Sequence, residues 1–229
     1  YIYPSLPDLQ SALRLAGRDW VGGQAYPEIG VILVAIAPTS DAILKINQYI
    51  PHELTHKILY DSTGAQGYES LPVWLVEGLA SHFELSPDPE YALALENAIP
   101  QNDLIPLEAL CYPFPEDREN AILAYAQSQS IVKYLEQTQG WTRIRLLIDA
   151  YADGLSCSAG ARRALEMDLS ALERDWQVWL EQGDISSDEP EYIWNNLALL
   201  LRDLAPWLML IAIIFFPAAL LTLQTRFGV

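Results

Sequence analysis

Residues 52–56 read HELTH, two histidines four positions apart with a glutamate directly after the first. The apolar periodicity around them predicts a helix over residues 42–60. Residues i and i+4 share one face of a helix, so the imidazoles of His52 and His56 can reach a single metal ion. Glu53 lies one step round the helix, where a water molecule on that metal would be. The spacing therefore predicts a zinc site with a carboxylate beside it.

Pro51 precedes this motif and complicates the helix. Proline has no backbone N–H, so it would interrupt a helix that runs through residues 47–51. We expect Pro51 to lie in the first turn of a helix or at a kink. Either position leaves the i, i+4 geometry of His52 and His56 intact.

A catalytic zinc site usually has three protein ligands, so a third ligand must come from another segment. The metzincin pattern would place glycine at position 59 and histidine at position 62, but the chain has Leu59 and Ser62, which excludes that class. Glu77 lies in the apolar, helix-like stretch 71–81, LPVWLVEGLAS. An unpaired carboxylate in such a stretch would cost on the order of several kcal/mol. A zinc ion would pair with it, and a buried arginine or lysine is the alternative.

Composition limits the remaining function classes. The chain has 229 residues, of which 51% are hydrophobic, which is enough for a packed core. It carries 13 basic and 30 acidic residues, a formal net charge of −17. The electrostatic field of this negative charge repels the phosphate backbone of nucleic acids, so nucleic acid is excluded as a partner.

The C-terminal part differs in composition from the rest. Residues 204–223, LAPWLMLIAIIFFPAALLTL, contain no charged side chain and are long enough to cross about 30 Å of hydrocarbon as a helix. We predict a transmembrane helix there, with a buried core helix as the alternative. Residues 183–203 would form an acidic linker and residues 224–229 a short tail. Since the flanking charges are balanced, they do not fix the orientation.

The rest of the chain predicts an α+β fold, a small sheet followed by a mainly helical lobe. Tyr1–Tyr3 is typical of a short strand, and Leu9, Leu13 and Ala16 recur at helical spacing. Glycines over residues 21–24 indicate a turn, and the apolar run 29–37 predicts a strand buried on both faces. The predicted helices are 42–60, 71–84, 90–98, 119–139, 141–152, 160–167 and 170–182.

Two cysteines, Cys111 and Cys157, have no metal-binding or redox spacing. This pattern favours ordinary buried cysteines. A disulfide in an oxidising compartment remains the alternative.

HELTH followed by Glu77 resembles the gluzincin peptidases of the peptidase MA clan, which includes the thermolysin-like and M1 aminopeptidase families. The chain is most similar to bacterial peptidase-MA-like domain proteins, which often have a C-terminal membrane span. The similarity includes GGQAYP at 22–27, YAQS at 125–128, and ALE at 164–166 with Trp176. It covers nearly all of residues 1–192 and implies that a further N-terminal region precedes Tyr1.

The resemblance implies a zinc-dependent metallopeptidase that hydrolyses peptide bonds with a zinc-activated water. His52, His56 and Glu77 would be the ligands and Glu53 the general base. Gluzincins stabilise the oxyanion with a tyrosine or histidine from a later helix, and Tyr125 is the candidate; a core aromatic is the alternative. His82 is expected to lie behind the ligands without contacting the metal, or on the surface.

The segment before the HELTH motif bears on whether the protein would cleave within peptides or remove their first residue. M1 aminopeptidases hold the substrate amine with a glutamate in a GxMEN segment, where this chain reads GQAYP at 23–27. Glu28 lies beyond Pro27, so endopeptidase action is favoured over aminopeptidase action. We expect Gly22–Tyr26 to form the lip of a groove in which an extended peptide pairs with a strand.

The sequence and the resemblance also lead to expectations about the partners and the location of the protein. The partners would be a peptide or protein substrate and a lipid bilayer. The resemblance implies that the 1–182 domain lies outside the cytoplasmic membrane, and a cytosolic tail-anchored protein is the alternative. The oligomeric state is open. The alternatives are an inactive zinc-bearing module that binds peptides or envelope components, an aminopeptidase, and a metal-free structural domain.

Overall fold

The computed structural model describes residues 1–13 and 21–182. A three-stranded sheet is followed by a mainly helical part, which agrees with the predicted α+β class. The elements are β1 (Ile2–Tyr3), α1 (Leu6–Leu13), β2 (Gly23–Tyr26), β3 (Val31–Ala35), α2 (Ala42–Glu69), α3 (Val73–His82), α4 (Pro89–Gln101), α5 (Leu107–Leu110), α6 (Arg118–Ala152), α7 (Cys157–Leu165) and α8 (Leu169–Glu181).

The sheet has the order β1-β3-β2, with β1 parallel and β2 antiparallel to the central strand. Gly23 pairs with Val34 and Tyr26 with Val31. This order leaves β2 at one edge of the sheet. The same edge faces α2, the helix that carries the HELTH motif.

Two of our predictions about this sheet are wrong. The glycine-rich segment 21–24 is not a turn, because Gly23 begins strand β2. The apolar run 29–37 is not a strand buried on both faces: residues 27–29 form a 3-10 turn, and most of β3 is only half-buried. A three-stranded sheet is too small to enclose its central strand, so only Val34 within β3 is fully buried.

Helix α2 is longer than predicted and runs through Pro51. Pro51 lies in the interior of the helix, so it is not a first-turn proline. The backbone of α2 is non-helical at Gly64, which has φ 73°. Glycine adopts this left-handed region without the steric cost that a side chain would add. The bend at Gly64 falls after the HELTH motif, so the motif lies on a continuous helical stretch.

The core of the domain forms where α3 packs against α6. Trp74, Leu75 and Leu79 of α3 are buried, as are Ile131 and Leu135 of α6, the helix on which α3 packs. A fully buried aliphatic side chain contributes about 1.5–3 kcal/mol relative to an exposed one. This contact holds α3 in place, and Glu77 lies on its other side, toward α2.

Gly78 allows α3 and α6 to approach closely. A Cβ atom at this position would lie 2.5 Å from the carbonyl oxygen of Ser128 on α6. No side chain fits in that space without moving one helix. Since Gly78 follows Glu77 directly, the close packing also fixes the position of Glu77.

The later helices follow the predicted ranges to within a few residues, with two differences. The ranges 119–139 and 141–152 form the two arms of α6, which meet at Gly140 with φ 75°. Asp117 caps the first arm by accepting a hydrogen bond from the backbone N–H of Asn120 at 3.0 Å. The short helix α5 was not predicted, because four residues carry no periodic signal.

Cys111 and Cys157 form a disulfide, which corrects the expectation of ordinary buried cysteines. Cys111 follows α5 and Cys157 begins α7, 46 residues later, with their Cα atoms 6.2 Å apart. Sequence spacing carried no sign of this pair because α6 brings the two ends together.

Within residues 1–13 and 21–182, the helices are all too short or too polar to cross a membrane. The predicted linker 183–203, transmembrane helix 204–223 and tail 224–229 lie outside the described residues, as does Ala16 of the predicted first helix.

Candidate metal centre

His52, His56 and Glu77 come together between α2 and α3. One ligand atom from each lies within 4.8 Å of the other two. Nε2 of His52 is 3.4 Å and Nε2 of His56 is 3.8 Å from Oε2 of Glu77. The two histidines share one face of α2, as their spacing predicts, and α3 brings the glutamate to that face.

A buried carboxylate orients His52. Nδ1 of His52 lies 2.8 Å from Oε1 of Glu84, whose side chain is only 2% exposed. A carboxylate on Nδ1 fixes the ring orientation and leaves Nε2 directed at Glu77. Glu84 lies just after α3 and was not singled out from the sequence.

A tyrosine orients His56 in the same way. Nδ1 of His56 is 3.0 Å from the hydroxyl of Tyr68. Tyr68 belongs to α2, but it lies beyond the bend at Gly64, which turns the chain back toward the histidines. Both imidazoles therefore present Nε2 to the same point and have a hydrogen-bond partner on Nδ1.

This donor set fits a zinc ion. Two imidazole nitrogens and one carboxylate oxygen are a ligand set found in catalytic zinc sites, and each histidine has the outer partner that such sites require. Burial alone would lower the pKa of His52, but the carboxylates of Glu77 and Glu84 outweigh it and raise this pKa to about 10. A raised pKa favours the imidazolium form of His52, so zinc binding would release a proton from this ring.

Glu53 lies beside this group, under strand β2. Its side chain is buried, and burial raises its pKa to about 7 despite a hydrogen bond from the backbone N–H of Ala25. Gly23 is in direct contact with it, because a Cβ atom at Gly23 would clash with Oε1 of Glu53. Glycine at this position is what lets the edge strand lie so close to the carboxylate.

The outer edge of β2 borders the site. The carbonyl of Gly22 accepts a hydrogen bond from Ala35 N–H at 2.8 Å. Residues along an antiparallel strand alternate between those that hydrogen-bond to the neighbouring strand and those that do not. Gln24 therefore hydrogen-bonds to β3 through its backbone, while the backbone N–H and C=O of Gly23 and Ala25 point away from the sheet. The side-chain amide of Gln24 donates to the Ala25 carbonyl at 3.0 Å. At Ala25 these backbone groups are covered by this chain's own side chains, whereas Gly23, although buried, lines the cleft.

An open cleft of about 310 Å³ contains these groups. His52, His56, Glu53 and Glu77 line it together with residues 22–24 of the edge strand. Tyr125 of α6 also lines the cleft, with its ring centroid 6.3 Å from that of His52. The structure thus brings Tyr125 into the same cleft as the candidate ligands His52, His56 and Glu77.

His82 lies elsewhere. Its Nε2 is 3.0 Å from Oε2 of Glu136, and its ring packs against Phe83 and Trp141. It contributes no atom to the group formed by the other two histidines.

A small sheet, a helical lobe and a His-His-Glu group between two helices define a gluzincin-type domain. This chain belongs to the Peptidase MA superfamily, whose family model matches residues 1–182. Members of this superfamily are typically zinc-dependent. No curated protein and no solved structure matches the chain.

Proposed function

We propose that this protein is a zinc-dependent metallopeptidase that hydrolyses peptide bonds. The observation that carries the proposal is the convergence of His52, His56 and Glu77 within 4.8 Å, in a cleft that also contains the buried carboxylate of Glu53. His52, His56 and Glu77 would be the ligands. Zinc, when bound, polarises the substrate carbonyl and lowers the pKa of a water molecule.

The side chains around this group have separate roles. Glu53 accepts the proton of the attacking water, for which a pKa near 7 is well suited. Gly23 offers its backbone N–H and C=O to an extended peptide, which positions the peptide bond over Glu53. The hydroxyl of Tyr125 is our candidate donor to the developing oxyanion.

Cleavage within chains is the favoured activity. An aminopeptidase needs a carboxylate for the free amine of its substrate, and Glu28 is the nearest acidic residue after β2. Glu28 is exposed in the turn that follows this strand and is not among the described residues that line the cleft.

The purified full chain is expected to contain about one zinc ion and to cleave unblocked and N-acetylated peptides from a mixed library. Removal of zinc with a chelator should stop cleavage, and added zinc should restore it. Mass spectrometry of the library and metal analysis measure both properties. Bound zinc without cleavage would support an inactive binding module, no zinc would support a structural domain, and cleavage of free-amine peptides alone would indicate an aminopeptidase.

We further propose that residues 204–223 anchor the domain in a membrane and that the domain lies on the extracytoplasmic side. The uncharged length of this segment and the Cys111–Cys157 disulfide support this placement, because disulfides persist in oxidising compartments. Protease added to intact cells is expected to digest the domain. Protection that ends only when the cells are opened would contradict the proposal.

A further inference from the structure

Pro51 occupies an unfavourable position next to the first metal-site histidine. It lies inside α2, where proline is the least favourable residue because it lacks the N–H of the helical hydrogen bond. The carbonyl that this N–H would have reached belongs to Asn47, four residues earlier. A proline here leaves the Asn47 carbonyl without its partner within the helix.

The structure supplies that partner from another segment. The backbone N–H of Leu85 donates to the carbonyl of Asn47 at 2.9 Å. Leu85 follows α3, and its own side chain is 74% exposed, so packing of this side chain does not hold it there. The hydrogen bond to Asn47 attaches the chain after α3 to α2 at the level of Pro51.

Glu84 directly precedes Leu85, and it is the residue that orients His52. Its Oε1 lies 2.8 Å from Nδ1 of His52, which directly follows Pro51. The two segments are therefore joined by two adjacent contacts, one through the backbone of Leu85 and one through the carboxylate of Glu84. The first contact uses the carbonyl that a residue with an N–H at position 51 would reach.

We propose that Pro51 is a positioning residue for the metal centre. By leaving the Asn47 carbonyl to Leu85, it holds Glu84 against His52 and fixes the direction of Nε2. This inference rests on the proposed metal site but not on peptide hydrolysis. It gives the interior proline a function that compensates for its cost to the helix.

The substitution Pro51→Ala is expected to lower zinc affinity about 10-fold, since loss of an outer partner typically costs 10- to 100-fold. The same substitution should raise the melting temperature of the zinc-free protein, because alanine restores the helical N–H. Competition with a chromogenic chelator measures the affinity. Amide hydrogen exchange of Leu85 in the zinc-free protein should become faster. The matched control is Pro100→Ala, which removes a proline inside α4 and should leave zinc affinity unchanged.

A double-mutant cycle with Glu84→Ala tests whether Pro51 acts through Glu84. In the Glu84→Ala background, Pro51→Ala should produce no further loss of zinc affinity. Unchanged affinity and unchanged Leu85 exchange in the single variant would overturn the inference, as would an equal loss in both backgrounds. Wild-type protein that binds zinc without cleaving peptides would refute the peptidase proposal and leave this inference in place. Wild-type protein that binds no zinc would overturn both.

Discussion

Replacing Glu53 with glutamine is expected to lower the rate of peptide hydrolysis by about 10²–10⁴-fold, the usual contribution of a general base. Glutamine has nearly the same shape as glutamate but cannot accept a proton at neutral pH. Zinc should stay bound, because none of the three proposed ligand atoms belongs to Glu53. A large loss of rate with an unchanged zinc content would therefore locate the effect in proton transfer.

The surroundings of Glu53 explain why the effect should be large. The side chain is buried, and burial raises its pKa to about 7, so the carboxylate is a stronger base than an exposed one. The backbone N–H of Ala25 fixes its position, and Gly23 leaves just enough room for it. No other carboxylate among the described cleft residues lies under β2 in this way.

Steady-state kinetics on a cleaved library peptide, together with metal analysis, measure this prediction. The matched control is Glu28→Gln, which removes the same charge from the exposed turn after β2 and should leave the rate unchanged. Substantial cleavage by the Glu53→Gln protein would show that Glu53 is not the general base. A loss of zinc in this variant would show that the substitution disturbs the ligands instead.

The metal group was predictable from the sequence because its geometry is local. The positions of His52 and His56 on one helical face follow from their spacing alone. Glu77 could be singled out because a carboxylate in an apolar helix needs a partner. Apolar periodicity is also a local signal, so the boundaries of the helices on either side of the HELTH motif were predictable to within a few residues. The exception is the extension of α2 to Glu69.

The supporting residues were not predictable, because their roles depend on contacts between distant segments. Glu84 reaches His52 only after α3 has packed on α6, and Tyr68 reaches His56 only because Gly64 bends the chain. Both are ordinary polar residues in the sequence. The pairing of the two cysteines depends in the same way on the course of α6 between them.

Glu77→Gln is expected to lower zinc affinity by more than about 100-fold, that is, by more than the loss of an outer partner produces. A glutamine side chain is neutral and a much poorer ligand for zinc than a carboxylate. The fold should survive, because the α3–α6 contact is formed by other side chains of α3, including Trp74 and Leu75. Chelator competition measures the affinity, and the melting temperature of the zinc-free protein checks the fold.

Glu84→Gln provides the comparison that separates ligand chemistry from charge. Both variants remove one negative charge next to His52, so the loss of charge beside this imidazole is matched. A ligand role for Glu77 requires a greater loss in Glu77→Gln, because Glu84→Gln leaves all three ligand atoms in place. Equal losses in the two variants would mean that Glu77 is not a ligand, and that the third ligand must be sought elsewhere in the cleft.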